Sequence, residues 1–121
     1  MKEYNVLTYL HICGNVAPII EMMTDTGVHC IEPLDPLGGM DIQEAKQAVK
    51  NRVSLMGGVN VLTVLNGKPD EIYQESMHCC KIAGREGGYI LAAGDMVPDR
   101  SPKENIQAMV RAAHDFTYTQ I

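Results

Sequence analysis

The chain contains no tryptophan and a single phenylalanine, Phe116, among 121 residues. A core of stacked aromatics is thereby excluded, and aliphatic side chains and eight methionines must fill the interior. Positive charge is also scarce: ten Lys and Arg against fifteen Asp and Glu leave a net charge of −5. Nucleic acid and anionic membrane surfaces recruit basic patches, so neither is expected as a main partner. No apolar run approaches the ~20 residues of a membrane span. The opening Met1-Lys2-Glu3-Tyr4-Asn5 is too polar for a secretory signal. The four cysteines, at 13, 30, 79 and 80, do not form a secreted disulfide framework, so reduced thiols and a cytoplasmic location are expected.

What is present is a fourfold alternation of strand and helix. The first unit predicts a strand over Val6–Leu10 and a helix capped by Asn15, with Pro18 in its first turn. Val16, Ile19, Ile20 and Met23 form that helix's apolar face, and Gly27 ends it. The second unit predicts a strand over Val28–Glu32, a loop from Pro33 to Gly39, and a helix from Asp41 with Glu44 completing a capping box. The third predicts a strand over Val53–Met56, a Gly57-Gly58-Val59-Asn60 turn, a second apolar stretch Val61–Leu65, and a helix after Gly67-Lys68-Pro69. The fourth predicts a strand over Tyr89–Ala93, a Gly94-Asp95 turn, and a helix opened by Ser101-Pro102-Lys103-Glu104. Strands alternating with helices imply a parallel α/β sheet with right-handed crossovers. Periodicity alone leaves two architectures open, four units of an eight-stranded barrel or a small doubly wound sheet.

Chemistry concentrates at the predicted C-terminal strand ends, where α/β folds build their sites. His11 and Cys13 are two residues apart in an extended segment and so project to one side, and imidazole and thiolate are preferred zinc ligands. On spacing alone the pair reads equally well as metal ligands or as a core histidine beside an inert thiol. Glu32, Asp35, Asn60 and Asp95 join them on the same rim. Asp95 is either a turn aspartate or a carboxylate ligand, and Glu32 either a solvated carboxylate or a site residue. Cys30, Cys79 and Cys80 read as packing, and His29, His78 and His114 as surface or helix-face residues. The glycine-rich Gly84–Gly88 precedes a strand, so it reads as a helix terminator rather than a phosphate loop.

Five segments, His11-Ile12-Cys13-Gly14-Asn15, Ile31-Glu32-Pro33-Leu34-Asp35, Gly57-Gly58-Val59-Asn60, Gly87-Gly88-Tyr89-Ile90-Leu91 and Pro98 to Ile106, occur in an order that resembles the C-terminal part of the uroporphyrinogen decarboxylase superfamily. That superfamily also contains methylcobamide:coenzyme M methyltransferases. The resemblance covers almost the whole chain. It implies one partial domain over residues 1–121, four consecutive βα units forming the C-terminal half of a TIM (β/α)8 barrel, with the N-terminal half absent. Its zinc methyltransferases use a His-x-Cys pair and a second cysteine on the last strand to activate a thiol. His11 and Cys13 match the pair, while Asp95 stands in the place of that cysteine.

The metal-ligand set implied by the resemblance is therefore His11, Cys13 and Asp95, with Glu32 and Asn60 as further ligands or substrate contacts. A corrinoid methyl donor would arrive on a partner protein. True decarboxylases carry a Gly-His-Gly turn where this chain has Gly94-Asp95-Met96. The implied function is methyl transfer to a metal-activated thiol. The alternatives are porphyrin-pathway decarboxylation, or a non-catalytic split-barrel subunit completed by an N-terminal half-barrel or a second copy. Independent catalysis by this chain alone is not expected.

Overall fold

The computed structural model describes residues 2–120, with side chains over residues 3–116; Met1 and Ile121 lie outside the described residues. Four parallel strands form one sheet in the order β1-β2-β3-β4: Tyr9–His11, Cys30–Leu34, Ser54–Val59 and Tyr89–Ala93. The helices between them are α1 (Ile20–Asp25), α2 (Ile42–Val49), α3 (Val61–Asn66) and α4 (Pro69–Ala83), with α5 (Lys103–Gln120) after β4. This is a partial TIM-barrel-like α/β fold.

The alternation of side chains along each strand divides the sheet into two unlike faces. Leu10, Ile31, Leu55 and Val59 point toward the helices and pack with Val16, Ile20, Met23, Ala45, Val49 and Val64. Tyr9, Cys30, Ser54, Met56 and Ile90 line a hollow on the other face, where Tyr9 and Ile90 are exposed. Parallel sheets are ordinarily covered on both faces. Here the covering is one-sided, and β1 and β4 end the sheet as edges.

Several local features follow the sequence rules. Asp41 Oδ1 accepts the Glu44 N–H at 2.8 Å and caps α2. Glu71 Oε2 accepts the Lys68 N–H at 2.6 Å at the start of α4, and that helix ends at Ala83 just before Gly84. Other expectations are corrected. The first strand is Tyr9–His11 rather than Val6–Leu10, and Val6 and Leu7 are exposed before it. The second runs on through Pro33 to Leu34, and the first helix begins with a 3-10 turn, Ala17–Ile19.

Gly57 and Gly58 are strand residues of β3, not a turn. A Cβ on Gly57 would lie 2.4 Å from the Leu34 nitrogen, so glycine is required by the close approach of β2. The apolar stretch after Asn60 is the short helix α3, whose N-cap is Asn60. Ser101 does not cap α5: among the described residues its buried hydroxyl has no hydrogen-bond partner. The adjoining lock is Asn105, 1% exposed, whose amide donates to the carbonyls of Val64 and Gly67 at 2.9 Å each.

Candidate functional site

The strand register builds the rim. His11 is paired with Glu32 across β1 and β2, and register partners in a parallel sheet project to the same side. Glu32 Oε1 accordingly accepts from His11 Nδ1. Two residues beyond His11, Cys13 brings its Sγ to 3.2 Å from His11 Nε2. Both ring nitrogens are therefore engaged, one by a carboxylate and one by a thiol. The cysteine is exposed. A hollow of about 380 Å³ is lined by His11, Cys13, Glu32, Pro33, Ala93, Asp95 and Met96.

The loop carrying Asp95 is held down by a second close approach. A Cβ on Gly94 would meet the Leu34 carbonyl oxygen and the Pro36 Cδ at 2.7 Å each. Gly94 also donates its N–H to the Val59 carbonyl at 2.7 Å. Asp95 is thereby fixed on the wall of the hollow, with Oδ1 accepting the Met96 N–H at 2.7 Å.

The remaining candidates stand apart from the hollow. Asn60 accepts the Leu62 N–H at 2.8 Å, and its own N–H donates to Glu75 at 2.6 Å. Asp35 is buried and accepts the Leu37 N–H at 2.9 Å. These bonds organise loops at the rim. Cys30, Cys79 and Cys80 are buried, and desolvation raises all three thiols. His29 Nδ1 accepts the Thr8 N–H at 3.0 Å and ties the entry of β1 to β2. The pairing of Glu32 with His11 lay beyond sequence reasoning, because interstrand register is absent from a one-dimensional pattern.

Donor chemistry tests whether a zinc ion fits. Zinc lies about 2.0 Å from nitrogen and about 2.3 Å from sulfur, so two tetrahedral ligands stand roughly 3.5 Å apart. The 3.2 Å between His11 Nε2 and Cys13 Sγ is close to that span, and these two residues fit as an N/S pair. Among the described residues, no three His, Cys, Asp or Glu side chains are grouped closely enough to hold a metal. The expected trio of His11, Cys13 and Asp95 is thus only partly drawn together. They share one hollow, and the Asp95 carboxylate is turned to its own backbone.

Residues 1–116 match the uroporphyrinogen decarboxylase (URO-D) family model. The chain belongs to the uroporphyrinogen decarboxylase family. Within this family it is 34% identical over 113 residues to the methylcobamide:CoM methyltransferase MtaA of Methanosarcina barkeri, covering 93% of this chain and 32% of that protein. A uroporphyrinogen decarboxylase of an Anaeromyxobacter strain is 30% identical over 109 residues, covering 84% of this chain and 31% of its own length. Among solved structures, a methyltransferase from Methanosarcina mazei superposes with a TM-score of 0.77 at 33% identity, over 93% of this chain and 32% of that one. The chain thus spans about a third of the length of these relatives. No helix among the described residues is long and apolar enough to cross a membrane.

Proposed function

We propose that this chain is the thiol-activating portion of a corrinoid-dependent methyltransferase of the uroporphyrinogen decarboxylase family. The observation that carries the reading is the approach of His11 Nε2 and Cys13 Sγ at a strand-end hollow. The 34% identity to a methylcobamide:CoM methyltransferase supports it. His11 and Cys13 would hold zinc, with Asp95 across the hollow as the third donor after rotation away from the Met96 N–H. Glu32 remains the further candidate for ligand or substrate contact, and Asn60, outside the hollow, would meet only a substrate that extends beyond it. Bound zinc would lower the pKa of an acceptor thiol and keep it as a thiolate.

The chain's own residues do the rest. The hollow has room for a small thiol beside His11 and Cys13, with Pro33, Ala93 and Met96 as its apolar walls. The methyl donor would be a corrinoid carried by a partner protein in the cytoplasm. The C-terminal half of a barrel accounts for the one-sided sheet, and an N-terminal half-barrel or a second copy would cover its open face.

Metal analysis of the purified chain tests the proposal. Near-stoichiometric zinc is expected, and it should be lost in His11→Ala and Cys13→Ala. Metal-free protein after purification in zinc-supplemented buffer overturns the reading. The second reading, porphyrinogen decarboxylation, is supported by the 30% identity to a uroporphyrinogen decarboxylase; it needs no metal, so the same measurement separates the two. A third, a non-catalytic split-barrel subunit, is supported by the uncovered sheet face. Sedimentation as a strictly monomeric, cooperatively folding species counts against it.

A further inference from the structure

We infer that Glu32 is the positioning residue of the rim pair: its carboxylate sets the tautomer and rotation of His11, so that Nε2 is the nitrogen presented beside Cys13. The placement follows from backbone register rather than from a flexible surface encounter, since His11 and Glu32 are direct partners across β1 and β2. The Ile12 N–H donates to the Glu32 carbonyl at 3.1 Å and continues the ladder past the pair. Glu32's side chain is 16% exposed against 55% for His11, so the carboxylate is the more fixed member and the ring the one being held. Among the described residues Glu32 has no Lys or Arg partner competing for it.

A neutral imidazole carries one N–H, and a carboxylate at Nδ1 draws that proton to Nδ1. The lone pair is then left on Nε2, 3.2 Å from Cys13 Sγ. Without Glu32 the ring is free to turn, and to carry its proton on Nε2, where it would block the same position. A carboxylate that orients a ligating histidine typically changes metal affinity by about ten- to a hundredfold. That consequence rests on the zinc reading above; the tautomer does not.

Two readouts test the inference on the whole chain. Ring-nitrogen NMR of metal-free protein, at a pH where His11 is neutral, should show the proton on Nδ1 in the wild type. It should remain there in Glu32→Gln, whose amide oxygen still accepts, and shift toward Nε2 in Glu32→Ala. Zinc titration against a chromophoric chelator should show near-native affinity for Glu32→Gln and a loss of about ten- to a hundredfold for Glu32→Ala. An unchanged tautomer in Glu32→Ala overturns the inference. So does Glu32→Gln losing zinc while keeping the Nδ1 proton, which would make Glu32 a direct ligand. If the wild type takes up no zinc, the proposed function fails, and the tautomer measurement still decides the role of Glu32.

Discussion

Cys13 and Cys79 carry the same thiol into opposite surroundings. Cys13 is exposed at the rim, against an imidazole that is itself held by a carboxylate. Cys79 is 2% exposed on the inner side of α4. It lies beneath Gly58, where an added Cβ would meet its Sγ at 3.2 Å and the Tyr89 hydroxyl at 3.4 Å. Burial pushes the Cys79 thiol from the ordinary 9.0 up to about 12, against the opposing pull of the neighbouring Tyr89 hydroxyl. Tyr89 spends its own hydroxyl on the Gly57 carbonyl at 2.6 Å. Both cysteines have a hydrogen-bonding ring beside them. What differs is access: an incoming ligand can reach the first, while the second is sealed inside the packing that shapes the strand.

The sealed region should be the costly one to disturb. Gly57→Ala is expected to lower stability by about 3 kcal/mol or more, because the new Cβ collides with β2 backbone and the residue sits at φ +125°. Urea unfolding measures it. A loss below about 1 kcal/mol would show that β2 and β3 are not tightly apposed there.

Alkaline pH should act on the same region. The Cys79 thiol is raised in the folded chain, and burial raises the Tyr89 phenol as well. The unfolded chain therefore gives up the Cys79 proton first, and stability falls as pH rises from about 9.0 toward about 12. Denaturation midpoints across that range should decline less in Cys79→Ala than in the parent. Tyr89→Phe removes one buried hydrogen bond and is expected to cost about 1 kcal/mol. Cys13→Ser is the smallest change, within about 0.5 kcal/mol of the parent in stability, although it should weaken zinc binding. If Cys13→Ser destabilised the chain as much as Tyr89→Phe, the rim cysteine would belong to the packing after all.

The βα rhythm was legible because capping and termination are local chemistry. Asp41 with Glu44, and Gly84 after α4, act over three or four residues. The first strand was displaced because Val6 and Leu7 have the composition of a strand, yet they are exposed and the pairing of β1 with β2 begins only at Tyr9. Gly57 and Gly58 looked like a turn because a glycine pair usually supplies one. The actual reason for Gly57 is the approach of β2 backbone at Leu34, more than twenty positions away, and that for Gly58 is the crowding of the Ile42, Cys79 and Tyr89 side chains. The rim divides in the same way. The common side of His11 and Cys13 is a period-two fact readable from the chain. The arrival of Glu32 depends on register between strands, and the turning of Asp95 toward Met96 depends on how the Gly94 loop is seated.

That seating has a consequence for sequence variation. Gly94 presses β4's exit against Leu34, Asp35 and Pro36, so the origin of the following loop is set by the absence of a single methyl group. The exposed Met96 and Val97 begin from an anchored point. Substitutions over 96–97 can therefore change the lip of the hollow while leaving its floor in register. A single added carbon at position 94 would move both. The lip at 96–97 can thus vary in shape and polarity while the His11, Cys13 and Glu32 wall of the hollow stays put.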